Sequence, residues 1–424
     1  MGRMNMNDSG PVVLGLQRSF GFGDRLGLAG PGHVAVARAN PGFAPVFAQQ
    51  SIRELARTDR EPEDVLHAAR TAVEAGGWDR PWGADADHLK TPEDVRRTVA
   101  AGFTFFTFDP SEHVDNTADR MSESGLSAAV AKQADDGVYG EESVVDLYRE
   151  QSYELDDRSV IRFDEESLLR AAVKYGRAVH HCAQLSHVLG DACSGRLYEI
   201  EVSVDETDTP TSPLEHLFFA LELRRRGVVI ASLAPRFVGD FEKGIDYKGD
   251  HADFERHLAE HIAIARTHGP YKISVHSGSD KFGIYPIIGR VCGDLLHVKT
   301  AGTSYLEALR VVLRVNPPLF AEIARYCVDR FETDRASYHI STSPEDIARL
   351  PAPADRGAEA AYLGSDAGRQ LLHVTFGSVL TRGNTAQGRP FKEAILEALE
   401  SHADLHKDVL TQHLGRHLEQ LQAG

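Results

Sequence analysis

The 424-residue sequence predicts an α/β protein, a (β/α)8 TIM-type barrel with a largely helical insertion and a C-terminal helical extension. Three observations lead there. Short runs rich in β-branched and aromatic residues alternate with stretches of helical period, as expected of a parallel sheet covered on both faces. The runs end in polar residues, as barrel strands do on the face that carries chemistry. The composition, 42% hydrophobic and 26% charged, suits a soluble folded chain, and no eighteen apolar residues run together to span a membrane.

Taken in order, residues 1–20 read as a loose N-terminal segment and residues 21–385 as the barrel domain. The segment FGFGDRLGLAGPGH reads as glycine-rich turns, because its spacing fits neither GxxxxGK[ST] nor GxGxxG after a strand. Asp24, Arg25 and His33 in that flexible frame are candidates to reach an anionic ligand. Strands are predicted over Pro45–Ile52, Trp82–Leu89, Phe103–Phe108, Arg196–Val204, Val228–Phe237, Tyr271–Ser279, Leu295–Thr303 and His373–Leu380, with Tyr338–Ser341 as a candidate ninth. Thr91, Pro92 and Glu93 mark a helix start between two of them. Between Pro110 and Gly195 the alternation stops, and residues 116–195 read as a helical insertion that serves as a lid or an oligomer contact. His180, His181 and His187 within it read as a helix face rather than as ligands. Residues 386–424, with leucines at 396, 399, 405, 410, 414, 418 and 421, read as helix packed on the barrel or on a neighbouring subunit.

Charge narrows the partners. Sixty-three Asp and Glu against 46 Lys and Arg give a net charge of −17, which argues against nucleic acid or an anionic membrane. A small anionic substrate remains compatible where local Lys and Arg reverse the field. Cys182, Cys193, Cys292 and Cys327 lack CxxC spacing, so neither a disulfide framework nor a thiolate zinc site is indicated. With no signal-peptide core at the N-terminus, a cytoplasmic protein is expected.

The strand ends hold the candidate chemistry. In YKISVHSGSDKFGIYPIIGR, Tyr271–Arg290, a buried-strand pattern runs into His276, Ser277, Ser279, Asp280 and Lys281. Other ends supply Asp85, Asp87 and His88; Asp109 with Glu112, His113 and Asp115; Asp205 with Glu206; Arg236 with Asp240 and Glu242; and Lys299. Carboxylates and histidines that converge from separate strands suit two tasks, binding a divalent cation and moving protons. Strand-end acids also cap helices, which fits Glu112, Asp115, Asp205 and Asp208 equally well. His297 reads as a buried core group, and Arg236 and Lys299 as anion binders.

At this point FTFFTFDPSEHVDNTAD, VSVDETDTPTSPLEHLFFALEL, APRFVGDFEKGIDYKGD, HSGSDKFGIYPIIGR and LHVKTAGTSYLEALR, with PVFAQQSIREL and GADADHLKT, resemble the tagaturonate/fructuronate epimerases of hexuronate catabolism. The likeness runs from about Gly21 to Val379. It implies a metal-dependent isomerase that inverts the hydroxyl-bearing carbon next to the ketone of a keto-hexuronate, by removing a proton from one face and returning it on the other. It implies Asp109 and Glu206 as proton acceptor and donor, in either order. A divalent cation of zinc or manganese type would take His113, His276 and Glu242, with Asp115 or His251 as replacements. Arg236, Lys281 or Lys299 would meet the substrate carboxylate, with Ser277 and Ser279 adding hydroxyl donors. The competing readings are a metal-dependent sugar-acid isomerase or aldolase on the same barrel, and a non-catalytic sugar-acid binder. Whether the chain forms a homo-oligomer is left open by the sequence.

Overall fold

The computed structural model describes residues 10–140 and 143–424. Its strands in chain order are β1 (Ser19–Gly23), β2 (Ala44–Ser51), β3 (Gly83–Leu89), β4 (Phe105–Phe108), β5 (Ser152–Glu154), β6 (Val160–Arg162), β7 (Glu199–Val204), β8 (Ser232–Pro235), β9 (Lys272–Val275) and β10 (Leu296–Thr300). All but β5 and β6 form one closed parallel barrel in which each strand lies beside its neighbour in sequence and β10 closes onto β1. β5 and β6 make a small antiparallel hairpin outside it. Helices begin close behind several strand ends because the sequence caps them there. Ser51 with Glu54, Thr91 with Asp94 and Ser212 with Glu215 each form a capping box.

The barrel bears out the predicted fold class, with one strand exchanged. β1 resembles turns in sequence because two of its five residues are glycine, which weakens any strand pattern. Packing explains them. A Cβ on Gly21 would lie 1.7 Å from Gln49 Oε1, and one on Gly23 2.6 Å from the Thr300 carbonyl oxygen. In place of the predicted strand His373–Leu380 the structure has two helices, Asp366–Val374 and Phe376–Thr381. Leu371, Leu372, Val374 and Phe376 are buried across the junction of the two helices in a second apolar cluster with Tyr305, Leu309 and Phe320, and this mainly apolar run at the junction resembles a strand. Tyr338–Ser341 is not a strand either, but follows the short turn Arg335–Ser337. His276 therefore follows the seventh barrel strand.

Residues 1–9 of the segment expected to be loose lie outside the described residues. From residue 12 the chain is tied down, with the Val12 amide on the Trp82 carbonyl at 2.8 Å and Leu14 buried. In the region read as an insertion, Glu165–Cys193 is a 29-residue helix leading from β4 to β7, preceded by helices Glu123–Asp135 and Val144–Tyr148 and by the hairpin. The final helix, Ala403–Ala423, packs against helices Gly30–Ala39 and Tyr285–Cys292. It buries Leu410, Leu414, Leu418 and Leu421. Among the described residues no helix is long and apolar enough to cross a membrane.

Candidate active site

Alternation along the strands decides which side chains enter the barrel. On β7 Glu201 and Ser203 share a face, and Asp205 follows at the strand end. On β3 Asp85 and Asp87 share one. A regular strand would turn His88 away from Asp87, but the β3–β4 register breaks between Ala86 and Leu89, and His88 takes a left-handed φ of 55°. Both side chains then meet His276 from the end of β9, and donor atoms of Asp87, His88 and His276 all lie within 4.8 Å of one another.

Below this rim Lys299 is locked in place. Its Nζ lies 2.7 Å from Asp85 Oδ2, 2.8 Å from Asp87 Oδ1 and 2.8 Å from Glu201 Oε1, and donates to Thr107 Oγ1 at 2.5 Å. Burial works against its charge, but the three carboxylates hold its pKa above the usual lysine range. Burial pushes Asp85 up to about 7 against the pull of Lys299. Glu201 is buried too, yet Lys299 and His276 keep it well below the usual carboxylate range.

Glu201 also fixes His276. The imidazole Nε2 lies 2.7 Å from Glu201 Oε1 and donates to it, which leaves the Nδ1 lone pair facing Asp205 Oδ2 at 3.5 Å and Ser203 Oγ at 3.4 Å. His88 Nδ1 touches Asp87 Oδ1 at 2.8 Å and its Nε2 stands 4.0 Å from Asp205 Oδ1. A lone pair opposite a carboxylate oxygen repels unless positive charge lies between them. In the protein alone protons meet that demand. Burial disfavours the cationic form of His88, but Asp87, Asp109 and Asp205 raise it to about 10. A divalent cation would satisfy the same donors, two imidazole nitrogens and adjacent carboxylate oxygens, so these residues fit a zinc- or manganese-type ion.

A second group, Asp280, His413 and His417, has donors equally close but does not fit. His417 Nε2 accepts the Asp280 amide proton at 3.0 Å and its Nδ1 donates to the His413 carbonyl at 2.9 Å, so both nitrogens are committed. Arg369 already places a guanidinium 2.7 Å from Asp280 Oδ2. This group ties the final helix to the loop after β9.

A cavity of about 300 Å³ opens above the rim. Of the sequence-predicted residues, Glu206, Arg236, His276 and Ser277 lie on its wall together with Asp205. Asp109 is not on that wall but is buried close enough to His88 to help raise its pKa. Its Oδ1 accepts the Ser111 amide at 3.0 Å and its Oδ2 lies 3.4 Å from Lys90 Nζ. The others are placed elsewhere. His113 stacks on His181 at 4.0 Å, and Glu242 is bound by Ser341 and Gln370, so neither joins His276. Asp115 caps the turn at Thr117, and His251 opens the helix His251–His268.

Lys281 spends all three N–H donors on the carbonyls of Glu242, Ile245 and Ser279, and Ser279 is buried with it. With Lys299 held by its three carboxylates, neither lysine has charge to offer a substrate. His297 is a core group, buried and bonded to Ser19 Oγ at 2.9 Å. Asp24 and Arg25 do not reach for a ligand. Asp24 accepts the backbone amides of Gly27 and Ala29, and Arg25 is paired with Glu54 at 2.8 Å. His33 is buried against Ser304.

The residues missing from the sequence-based site are Asp87, His88, Glu201 and Asp205 as a unit, and Lys243 on the cavity wall. Two signals were there: ADADH closing a strand, and charges at alternate positions of EIEVSV, where a purely structural strand would be apolar.

The sequence matches a family model described as tagaturonate epimerase over residues 3–421. A relative from Thermotoga maritima, named tagaturonate/fructuronate epimerase, is 44% identical over 415 residues, covering 98% of this chain and 83% of its own. Two crystal structures of the fructuronate-tagaturonate epimerase UxaE from Cohnella laeviribosi are similar at 38% identity, each covering 97% of this chain and 83% of its own. The complex with two glycerols has a TM-score of 0.90 and the native enzyme 0.88.

Proposed function

Because this chain belongs to the tagaturonate epimerase family, we propose that the carboxylates and histidines at its barrel mouth invert one carbon of a keto-hexuronate. The chain is a tagaturonate/fructuronate epimerase, an isomerase of hexuronate catabolism. The observation that carries the site is the convergence of His88, Asp205 and His276 at the rim of a cavity whose wall also holds Glu206 and Arg236.

The two sugar acids correct the chemistry expected from sequence. Both carry their ketone at C2 and differ at C4, as tagatose and fructose do. Exchange of the proton beside the ketone would invert C3, so it cannot interconvert them. The C4 hydroxyl is β to the ketone, which is the arrangement that undergoes retro-aldol cleavage. A base takes the C4 hydroxyl proton, C4 becomes an aldehyde, and the C3–C4 electron pair moves toward C2, whose oxygen takes the charge. The aldehyde turns about the C4–C5 bond and presents its other face. Reversal re-forms the C3–C4 bond with C4 inverted, and no atom or electron is gained or lost.

His88 and His276, with Asp205 and Asp87, would hold the cation. When bound it supplies Lewis-acid polarisation of the ketone oxygen and the adjacent hydroxyl. Glu201, backed by Lys299, keeps the His276 proton on Nε2 and Nδ1 free. Glu206 is assigned the C4 hydroxyl proton in one epimer. The oxygen points elsewhere in the other, so a second carboxylate is needed, and Asp109 takes that part. Its Oδ2 is buried without a hydrogen-bond partner among the described residues, although it forms an ion pair with Lys90. Arg236 and Ser277 contact the substrate. We place the enzyme in the cytoplasm, a reading supported by four buried free cysteines.

The test is epimerisation in D2O followed by NMR. Retro-aldol cleavage keeps the original hydrogen on C4 in both epimers, and deuterium at C4 would sink it. Incorporation of added 13C-labelled 2-hydroxy-3-oxopropanoate, the aldehyde acid fragment, separates bond cleavage from hydride transfer. Absence of any interconversion by the metal-supplied protein would refute the functional reading itself.

A further inference from the structure

We propose that Lys243, together with Arg236, forms the subsite for the substrate carboxylate and thereby selects a keto-uronate over a neutral ketose. The proposal rests on the epimerase reading of the same cavity. Lys243 lies in the segment between β8 and the helix His251–His268, half-buried on the cavity wall, and its Nζ donates to Ser277 Oγ at 2.5 Å. Ser277 follows His276 directly, so the ammonium is hung beside the residue that would hold the cation.

The loop presenting Ser277 is fixed. Ser277 and Asp280 both adopt left-handed φ, 50° and 63°, without being glycine. Asp280 is anchored by Arg369, His413 and His417. A lysine bonded to a serine on so constrained a loop is pre-positioned, and little freedom is lost when an anion binds it.

Charge balance gives the independent argument. The chain has 63 acidic residues for 46 Lys and Arg, and the cations Lys281 and Lys299 near the site are spent on internal oxygens. Arg53, also on the wall, is paired with Glu206 at 3.6 Å. Lys243 and Arg236 line the same cavity with no carboxylate partner among the described residues. Two cations without a carboxylate partner line the same cavity as the donors suited to a ketone-polarising ion, which matches a substrate that carries both a ketone and a carboxylate.

The experiment measures kcat and KM for tagaturonate, and the inhibition constant of fructose as the neutral probe, in wild type, Lys243→Met and Lys243→Arg. Lys243→Met is expected to raise KM by roughly ten- to a hundredfold, the loss of a charge-assisted contact, with kcat changed far less. Inhibition by fructose stays within about twofold, and Lys243→Arg restores most of the lost affinity because it keeps the charge. An unchanged KM overturns the proposal, as does equal weakening of the acid and the neutral sugar, or failure of Lys243→Arg to restore affinity. If Lys243→Met does not fold, Lys243→Arg and Arg236→Met carry the same comparison. A wild-type protein that binds but does not epimerise tagaturonate would remove the epimerase reading, while calorimetric binding of the acid would still decide the subsite.

Discussion

Replacing Lys299 with methionine separates two roles for this residue, substrate anchor and keystone of the cation site. The variant keeps the length of the side chain and removes a buried ammonium that touches Asp85, Asp87 and Glu201 at 2.7–2.8 Å. Three buried carboxylates then lose their counterion. Breaking a buried ion pair from one side costs about 3–5 kcal/mol, and the loss of the Thr107 contact adds to it. The penalty depends on pH with a definite sign. Without Lys299 the carboxylates have folded pKa values raised above their unfolded ones, so the folded state binds more protons and the variant gains stability as pH falls. Asp85 is already pushed up to about 7 against the pull of Lys299, so without that pull the recovery begins above neutral pH. Urea unfolding of both proteins between pH 8 and pH 5 should show a deficit of about 3–5 kcal/mol at the alkaline end that shrinks toward the acid end. Metal content after dialysis should fall as well, because Glu201 and Asp87 are no longer held. Wild-type stability and metal content with only KM raised would refute the reasoning and return Lys299 to the substrate.

Two further outcomes follow from the same geometry. Glu201→Gln keeps the shape but not the charge that orients His276, so metal affinity measured against a competing chelator should fall about 10–100-fold with little change in fold; unchanged affinity would show that His276 needs no such partner. Away from the site, burial and the nearby His257 and His268 push His216 down to about 3, and it is bonded to His261 and Tyr271. Its folded pKa lies below the unfolded value, so the unfolded state binds more protons and stability is lost as pH falls below about 6.5. The loss between pH 7 and pH 5 is about 2 kcal/mol from this residue, and a His216→Phe variant should show that much less acid sensitivity in urea unfolding.

The sequence revealed the barrel more completely than the site, and the reason lies in how each is encoded. Strands such as β4 and β9 announce themselves by composition, because a strand covered on both faces must be apolar almost throughout. β1 escaped because its two glycines serve a contact with Gln49 and with the backbone of β10 that no local pattern records. Residues 373–380 read as a strand because they span the junction of two helices, where the buried residues Val374, Phe376, Val379 and Leu380 follow one another closely and only part of either helix is in view.

In the site, His276, Glu206 and Arg236 were legible as polar ends of strands. Which ends meet was not legible, since that depends on barrel closure and on one register break. His113 and Glu242 have the right chemistry for ligands, yet one leans on a helix histidine and the other on Ser341 and Gln370. His88 sits next to an aspartate in sequence and would face away from it in any regular strand; only the bulge at Asp87 and His88 brings both to His276. Lys299 shows the same limit from the other side. A lone lysine at a strand end looks like an anion binder until three carboxylates from β3 and β7 are seen to close around it. The charge that remains for the proposed subsite is then Arg236 and Lys243, and Lys243 follows Glu242 in the segment after β8, where the acids rather than the lysine draw the site assignment. Its position is set by Ser277, whose left-handed backbone is held by the final helix through Asp280. The proposed subsite therefore depends on a contact between Asp280, in the loop that carries Ser277, and His413, 133 positions away, a dependence that no spacing rule within the strand-end motif can express.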